Sequence, residues 1–171
     1  MNSFEIVASS TESTVVAEYT PEKRKSTDYQ SEAELEQDFI NRLVSQGYEY
    51  ITIKSEQDLI DNLRTQLEKL NNYIFFDKEW NEFYNSVISN GNDGIVEKTR
   101  KIQEDCLQNL TLDNGYVKNI KLIDKNNIHN NHLQVINQYE EEGGKRDTRY
   151  DVTILVNGLP LVHIELKKRG N

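Results

Sequence analysis

The chain has 171 residues, of which 36% are hydrophobic and 29% are charged, and its formal net charge at pH 7 is −9. This length suffices for one domain with a hydrophobic core. The negative charge argues against a basic protein that coats nucleic acid, although it does not exclude a nuclease. The sequence contains no apolar run long enough to span a membrane, no secretory signal and one cysteine, Cys106, so we predict a cytoplasmic protein without a membrane span or an internal disulfide.

The N-terminal region, residues 1–30, differs in composition from the rest of the chain. Its apolar residues are scattered among many Ser, Thr and Glu. We therefore predict a loosely structured arm that contains a short strand at Phe4–Val7 or at Thr14–Tyr19. Residues 31–171 are then predicted to form the main domain.

Capping signals and the helical spacing of apolar residues predict a mainly helical segment after this arm. The first helix opens with an S-x-x-E capping box, Ser31 and Glu34, and ends at Gly47. In chain order we predict a helix over Ser31–Gly47, a strand over Tyr48–Lys54, a helix capped by Ser55, a helix over Asp77–Asn90 and a helix over Ile95–Leu110.

The C-terminal part of the chain has the alternating apolar pattern of β-strands. Strands are predicted over Tyr116–Asp124 and Asn131–Glu140, followed by a mobile polar loop over Glu140–Arg149 and a β-hairpin. Helices first and antiparallel strands after them predict an α+β fold, or a mixed sheet flanked by helices.

The hairpin turns at Asn157-Gly158, a strong short-range hairpin signal. The length of this turn decides whether Asp151 lies opposite Glu165, because a shift of one residue moves a side chain to the other face. With a two-residue loop the two acids miss each other by one position. We predict a three-residue loop, Asn157–Leu159, which places the two acids opposite each other on one face with their Cβ atoms about 5 Å apart.

Two carboxylates at that separation repel each other unless a cation lies between them. Carboxylate oxygens suit Mg²⁺ or Mn²⁺ rather than zinc, and the backbone carbonyl of Leu166 can complete the protein's share of the ligands. Lys167 lies two residues after Glu165, where it can orient a water or stabilise charge on a phosphate. Asp151, Glu165 and Lys167 therefore predict metal-assisted phosphodiester hydrolysis. The alternative is that Asp151 ends a strand while Glu165 and Lys167 form a surface ion pair.

Three further residues are candidates for the same site. Glu36 lies within the apolar stripe of the first helix, where a carboxylate is either a third metal ligand or a stripe-edge residue with its head in water. Lys168 and Arg169 follow the hairpin. They are either phosphate contacts that position DNA without reading its sequence, or simply the solvated end of a strand.

Three stretches, YQSEAELEQDFINRLVSQGYEYI, KTRKI and RYDVTILVNGLPLVHIELKKRG, resemble the N-terminal region of the R (HsdR) subunit of type I restriction enzymes, especially the type IC group. The resemblance spans nearly the whole chain and implies a PD-(D/E)XK endonuclease fold. It implies that Asp151 is the motif acid and Glu165-Leu166-Lys167 the (D/E)-x-K element, with Tyr150 in place of the proline of the motif name. It also implies that Glu36 is the helix acid that some members of the superfamily use to bind metal.

The resemblance further implies a protein longer than this chain. A complete R subunit continues into two helicase-like motor domains that use ATP, and it acts on double-stranded DNA together with methyltransferase (M) and specificity (S) subunits. The present sequence has no G-x-x-x-x-G-K-[ST] loop, so we expect no ATP binding here. It ends at Asn171, before the Q-x-x-x-Y helix of the family. We therefore expect a fragment truncated after the catalytic hairpin, whose incomplete site can leave it inactive.

The first hypothesis is therefore a Mg²⁺-dependent endonuclease domain of a type I restriction R subunit. A second hypothesis is a docking module that joins the motor to the methyltransferase core through the Leu59–Leu70 helix or the helix of Trp80. A third is a different nuclease of the same superfamily, such as a junction resolvase. The net charge of −9 disfavours it, because such an enzyme needs a basic DNA-binding face.

Overall fold

The computed structural model describes residues 4–9, 15–19, 31–141 and 148–167. Contacts between Cα atoms divide the chain into two units, Met1–Gln30 and Ser31–Asn171. In the first unit, strands β1 (Phe4–Ser9) and β2 (Val15–Tyr19) form an antiparallel pair. Both segments that the sequence offered as alternative strands are therefore paired.

The second unit combines α-helices with a mixed sheet, as the sequence predicted. Its elements in chain order are α1 (Glu32–Ser45), β3 (Glu49–Tyr50), α2 (Glu56–Asn71), α3 (Asp77–Phe83), α4 (Ile95–Gln103), β4 (Leu107–Thr111), β5 (Val117–Lys121), β6 (Leu133–Glu141), β7 (Thr148–Val156) and β8 (Leu159–Ile164). A π-helical turn, Tyr84–Ile88, follows α3 directly. Within the described residues, no helix is both long enough and apolar enough to cross a membrane.

Four strands form the main sheet in the order β3-β6-β7-β8. Strand β3 runs parallel to β6, whereas β6, β7 and β8 are antiparallel to their neighbours. Strands β4 and β5 form a separate antiparallel pair. The predicted mixed sheet flanked by helices is confirmed.

The helix boundaries follow the local capping signals. The hydroxyl of Ser31 accepts the Glu34 backbone N–H at 3.2 Å, and the Glu34 carboxylate accepts the Ser31 N–H at 2.6 Å, which completes the predicted capping box. Gly47, with φ of 97°, follows the end of α1 in a conformation that favours glycine. Ser55 caps α2 by accepting the Asp58 N–H at 3.1 Å.

Helices cover both faces of the main sheet. On one face, Ile40 and Leu43 of α1 pack with the buried Val135 and Val152 of the sheet. On the other face lies α2, whose Asn62 side chain donates to the side chain of Gln134 at 2.9 Å. Strands β6 and β7 therefore lie between helical layers, whereas β8 is mostly exposed.

The larger hydrophobic cluster lies on the α2 side. It buries the central leucines of α2, Leu63 and Leu67, together with Trp80 and Phe83 of α3. These residues are 4% exposed or less. The α2 stripe and the Trp80 helix therefore form the core, and the prediction that they present a docking surface for a partner is wrong.

Three predicted boundaries are wrong. The helix predicted over Ile95–Leu110 ends at Gln103, and Leu107–Thr111 is a strand because it pairs with β5. The strand predicted over Tyr48–Lys54 pairs with β6 only at Glu49–Tyr50. The loop predicted over Glu140–Arg149 is shorter, since β6 reaches Glu141 and β7 begins at Thr148; residues 142–147 lie outside the described part of the chain.

Candidate active site

The hairpin that carries the predicted acids turns through two residues. Asn157 and Gly158 have φ of 52° and 80°, and Val156 pairs with Leu159 across them. The predicted three-residue loop is wrong, because positive φ at both central residues closes the turn without a third residue.

A β-bulge in β8 restores the register that the three-residue loop was meant to supply. Ile154 pairs with Val162 rather than with Leu161, so Leu161 is the extra residue. The ladder ends at the pair Val152–Ile164, and Asp151 and Glu165 are the next residues on the two strands. The position of the two carboxylates opposite each other on one face stays a prediction.

The backbone after β8 also contacts Asp151 directly. The N–H of Leu166 donates to Asp151 Oδ2 at 2.6 Å. Lys167 Nζ lies 3.4 Å from Glu165 Oε2, and these side chains are 77% and 67% exposed. Asp151 is partly buried. The site thus combines one anchored carboxylate with an exposed acid and an exposed lysine.

Glu36 reaches the same strands from α1. Its Oε1 accepts a hydrogen bond from Asn137 Nδ2 at 2.8 Å, and Asn137 pairs with Val152, the neighbour of Asp151. The contact places Glu36 beside the strands of the main sheet, and its role as a metal ligand stays a prediction. In the described residues, no three Asp, Glu, His or Cys side chains are placed to hold one metal ion.

The donor set on the hairpin fits a hard divalent cation. It consists of the carboxylates of Asp151 and Glu165 and the backbone carbonyl of Leu166, all of them oxygens, which suit Mg²⁺ or Mn²⁺. A carboxylate has two oxygens, so Asp151 can accept the Leu166 N–H with one of them and bind a cation with the other. The predicted phosphate contacts Lys168 and Arg169 lie outside the described residues.

The structure adds an aromatic pair that the sequence analysis did not assign to the site. The rings of Tyr150 and His163 are stacked, with centroids 4.1 Å apart and planes 20° apart. Thr153 Oγ1 lies 3.0 Å from His163 Nδ1. The only sequence signal was the position of these residues beside the acids, because a contact between strands depends on the register that the bulge sets.

Comparison with known proteins places this geometry in a family. The family model for the type I restriction enzyme R protein N terminus matches residues 29–171. The chain is 46% identical over 165 residues to the type I restriction enzyme EcoprrI endonuclease subunit of Escherichia coli, a match that covers 96% of the chain and 52% of that protein.

Staphylococcal relatives are more distant. The chain is 40% identical over 147 residues to the SsaAORF53P endonuclease subunit of Staphylococcus saprophyticus. It is 38% identical over 148 residues to the SauMSSORF170P endonuclease subunit of Staphylococcus aureus strain MSSA476. Each of these matches covers 83% of the chain and 15% of the relative. The chain thus spans about half the length of the Escherichia coli relative and a much smaller part of these two.

Proposed function

Because the chain belongs to the family of type I restriction enzyme R protein N termini, we propose that it is the Mg²⁺-dependent DNA endonuclease domain of such an R subunit. The observation that supports this proposal is the hydrogen bond from the Leu166 N–H to Asp151 Oδ2, which brings the segment of Glu165 and Lys167 to Asp151. Translocation driven by ATP in motor domains, and assembly with M and S subunits on double-stranded DNA, belong to the complete protein in this proposal.

Asp151, Glu165 and the Leu166 carbonyl would hold the cation. When bound, Mg²⁺ supplies a positive charge that stabilises the negative charge developing on a phosphate. The Leu166 N–H holds the Asp151 carboxylate in place, so this ligand does not have to be ordered when the cation arrives. Neutralising the two acids also removes the repulsion that their position on one face creates.

Lys167 has the second role in this proposal. In the structure it forms an exposed ion pair with Glu165. Once the charge of Glu165 is engaged by a cation, the Lys167 ammonium can turn to a phosphate oxygen or orient the attacking water. Lys168 and Arg169 are proposed as phosphate contacts that hold DNA without reading its sequence, so sequence recognition would come from other subunits.

The test separates metal binding from catalysis. We would titrate Mn²⁺ into the chain by calorimetry, and compare the parent with Asp151→Asn, Glu165→Gln, Lys167→Ala and, as a control, Glu82→Ala. Glu82 is an exposed acid on α3, so its replacement repeats the charge change away from the hairpin. Asp151→Asn keeps an oxygen for the Leu166 N–H but removes the ligand charge.

We expect Asp151→Asn and Glu165→Gln to weaken Mn²⁺ binding by about tenfold or more, since both remove a ligand charge. Lys167→Ala should bind Mn²⁺ at least as well as the parent, yet abolish DNA cleavage in the complete enzyme. Equal Mn²⁺ affinities for the parent, Asp151→Asn and Glu82→Ala would contradict the proposed site.

A docking role is the second candidate, and apolar side chains on α4 favour it. Ile95 and Val96 are 82% and 59% exposed, which is unusual for adjacent aliphatic residues at the start of a helix. Asp151→Ala in the complete enzyme distinguishes the two roles. Loss of cleavage with intact assembly and translocation supports the nuclease, whereas loss of assembly supports docking.

A further inference from the structure

A cavity of about 290 Å³ lies between α2, the π-helical turn and the hairpin β7–β8. Tyr150 and His163 form one wall of this cavity. Tyr150 precedes Asp151 directly, and His163 lies two residues before Glu165, so the cavity is close in the chain to the proposed cation site. The proposed cleavage chemistry does not use any of the side chains that line it.

The wall of the cavity is a flat, fixed surface. The stacked rings of Tyr150 and His163 are 4.1 Å apart, and Thr153 holds the imidazole from the side at 3.0 Å. An aromatic face of this kind attracts another flat ring, and the nucleobases of DNA stack on such side chains whatever their sequence. The wall therefore suits a nucleobase.

The rest of the cavity matches the other parts of a nucleotide. Leu59 and Ile60 of α2 line an apolar side, while the polar lining consists of Glu56, Tyr84, Ser89 and Lys98. Burial, and next the charge of Glu56, raise the pKa of the Tyr84 hydroxyl, which therefore keeps its proton at neutral pH and can donate it in a hydrogen bond. Lys98 is exposed and supplies a cation of the kind that contacts phosphate.

The backbone around the cavity is also unusual. The turn that contains Tyr84 is π-helical. This geometry is rare in proteins as a whole, but where it occurs it is often at a functional site. On the opposite side, the hairpin turn is pressed against α2 so closely that a Cβ on Gly158 would lie 2.6 Å from Leu63 Cα. The walls are therefore held in fixed positions, which lowers the entropy lost when a ligand binds.

We infer that this cavity binds one nucleotide unit of a DNA strand, with the base against the Tyr150–His163 pair and the phosphate at Lys98. The volume of about 290 Å³ lies at the lower limit for small-molecule sites and suits a single unit. The identity of the strand rests on the proposed nuclease function. A free nucleotide has the same chemistry, so the experiment must distinguish the two sources.

The experiment measures binding of the 171-residue chain to a fluorescent single-stranded oligothymidylate of about ten nucleotides, by anisotropy, at low salt and with EDTA present. The variants are His163→Ala, His163→Phe and Lys98→Gln. The matched controls are His129→Ala, on an exposed turn, and Arg100→Gln, which makes the same charge change on α4 away from the cavity. Circular dichroism checks that each variant is folded.

We expect His163→Ala and Lys98→Gln to weaken binding by roughly tenfold, the size of one lost stacking or phosphate contact. His163→Phe keeps a stacking ring and should stay within about threefold of the parent, as should both controls. No binding by the folded parent, or equal losses for Lys98→Gln and Arg100→Gln, overturns the inference. Thymidine monophosphate is tested as a competitor. If it displaces the probe as well as unlabelled oligonucleotide does at the same concentration of nucleotides, the assignment to a DNA strand is overturned.

EDTA removes divalent cations, so this binding measurement does not depend on whether the proposed nuclease site binds a cation. Binding of the oligonucleotide is therefore measured independently of the Mn²⁺ titration. If the cavity binds DNA while Mn²⁺ binding is absent, the nuclease proposal fails and the subsite stands. If Mn²⁺ binds normally and the cavity variants have no effect, the subsite fails alone.

Discussion

Gly158 and Gly115 have almost the same backbone angle but different surroundings. Their φ angles are +80° and +81°, so an alanine at either position is strained. Only Gly158 is closely packed, because its missing Cβ would meet the Leu63 backbone at 2.6 Å, whereas nothing lies within 4 Å of the corresponding point on Gly115. The comparison isolates the packing of the hairpin turn against α2.

We predict that Gly158→Ala lowers the free energy of unfolding by about 3 kcal/mol or more, and that Gly115→Ala lowers it by about 1–2 kcal/mol. The difference arises because the α2 backbone cannot move aside as a flexible side chain would. Urea unfolding followed by circular dichroism measures both values. Equal losses would show that backbone strain alone sets the need for glycine at residue 158.

The segment from α4 to β4 illustrates how an element is decided by its partner. The apolar residues Ile102, Cys106 and Leu110 are spaced four apart, as in a helix, so their spacing does not reveal that the predicted helix over Ile95–Leu110 ends early. In the structure α4 ends at Gln103, and the following strand β4 pairs with β5. Leu110 is 2% exposed and Leu107 is 48% exposed.

The observed burial predicts unequal effects of truncating these two leucines. Leu110→Ala should lower the free energy of unfolding by about 2–5 kcal/mol, because it leaves a cavity in the larger hydrophobic cluster. Leu107→Ala should cost less than about 1 kcal/mol, since its side chain is largely in water. Chemical unfolding of both variants tests the assignment, and comparable losses would argue against the observed packing of β4.

At the scale of the molecule, a polar network joins the segment after β5 to the hairpin turn of the four-stranded sheet. The buried Asn157 of the hairpin turn donates to the Leu122 carbonyl at 3.0 Å and to the Asn131 side chain at 2.8 Å. The same Asn131 oxygen accepts the backbone N–H of Asp124 at 2.8 Å. The carboxylate of Asp124, 6% exposed, accepts hydrogen bonds from the Asn127 backbone N–H and from Asn130 Nδ2, and so orders the segment that leads to Asn131.

This carboxylate makes stability depend on pH. A hydrogen bond from Asn130, the Asn127 backbone N–H and Lys121 hold the pKa of Asp124 well below its ordinary value of 3.8. Since the folded pKa is lowered, the contribution of Asp124 is complete above the unfolded pKa and is lost as the pH falls through the folded pKa.

We predict that Asp124→Asn is less stable than the parent at neutral pH, because its amide would direct a donor toward Lys121 or Asn130. The difference should shrink as the pH is lowered from about 5 to about 2. Thermal unfolding of both chains across this range measures it. Asp113→Asn, which breaks only the exposed pair with Lys78, should change stability by less than about 1 kcal/mol at any pH. A constant difference between parent and Asp124→Asn would contradict the role of the Asp124 charge.

Signals that act over a few residues were sufficient to predict much of this protein. The capping box at Ser31, the cap at Ser55 and the glycine at residue 47 act through adjacent backbone groups, so their outcome was readable from the sequence. The Asn157-Gly158 turn and the acids on its flanks were likewise visible. These local signals, with the resemblance to a known family, predicted the mixed sheet and a hairpin that carries Asp151 on its first strand.

What the sequence could not settle depends on contacts between distant residues. The bulge at Leu161 depends on how β8 pairs with β7, and the strand at Leu107 exists because β5 pairs with it. The stack of Tyr150 on His163 joins residues that are 13 positions apart in the chain. Capping, turn and periodicity patterns depend only on residues that are close together in the chain. Register, burial and the cavity beside the acids arise from packing in three dimensions, which only the tertiary structure decides.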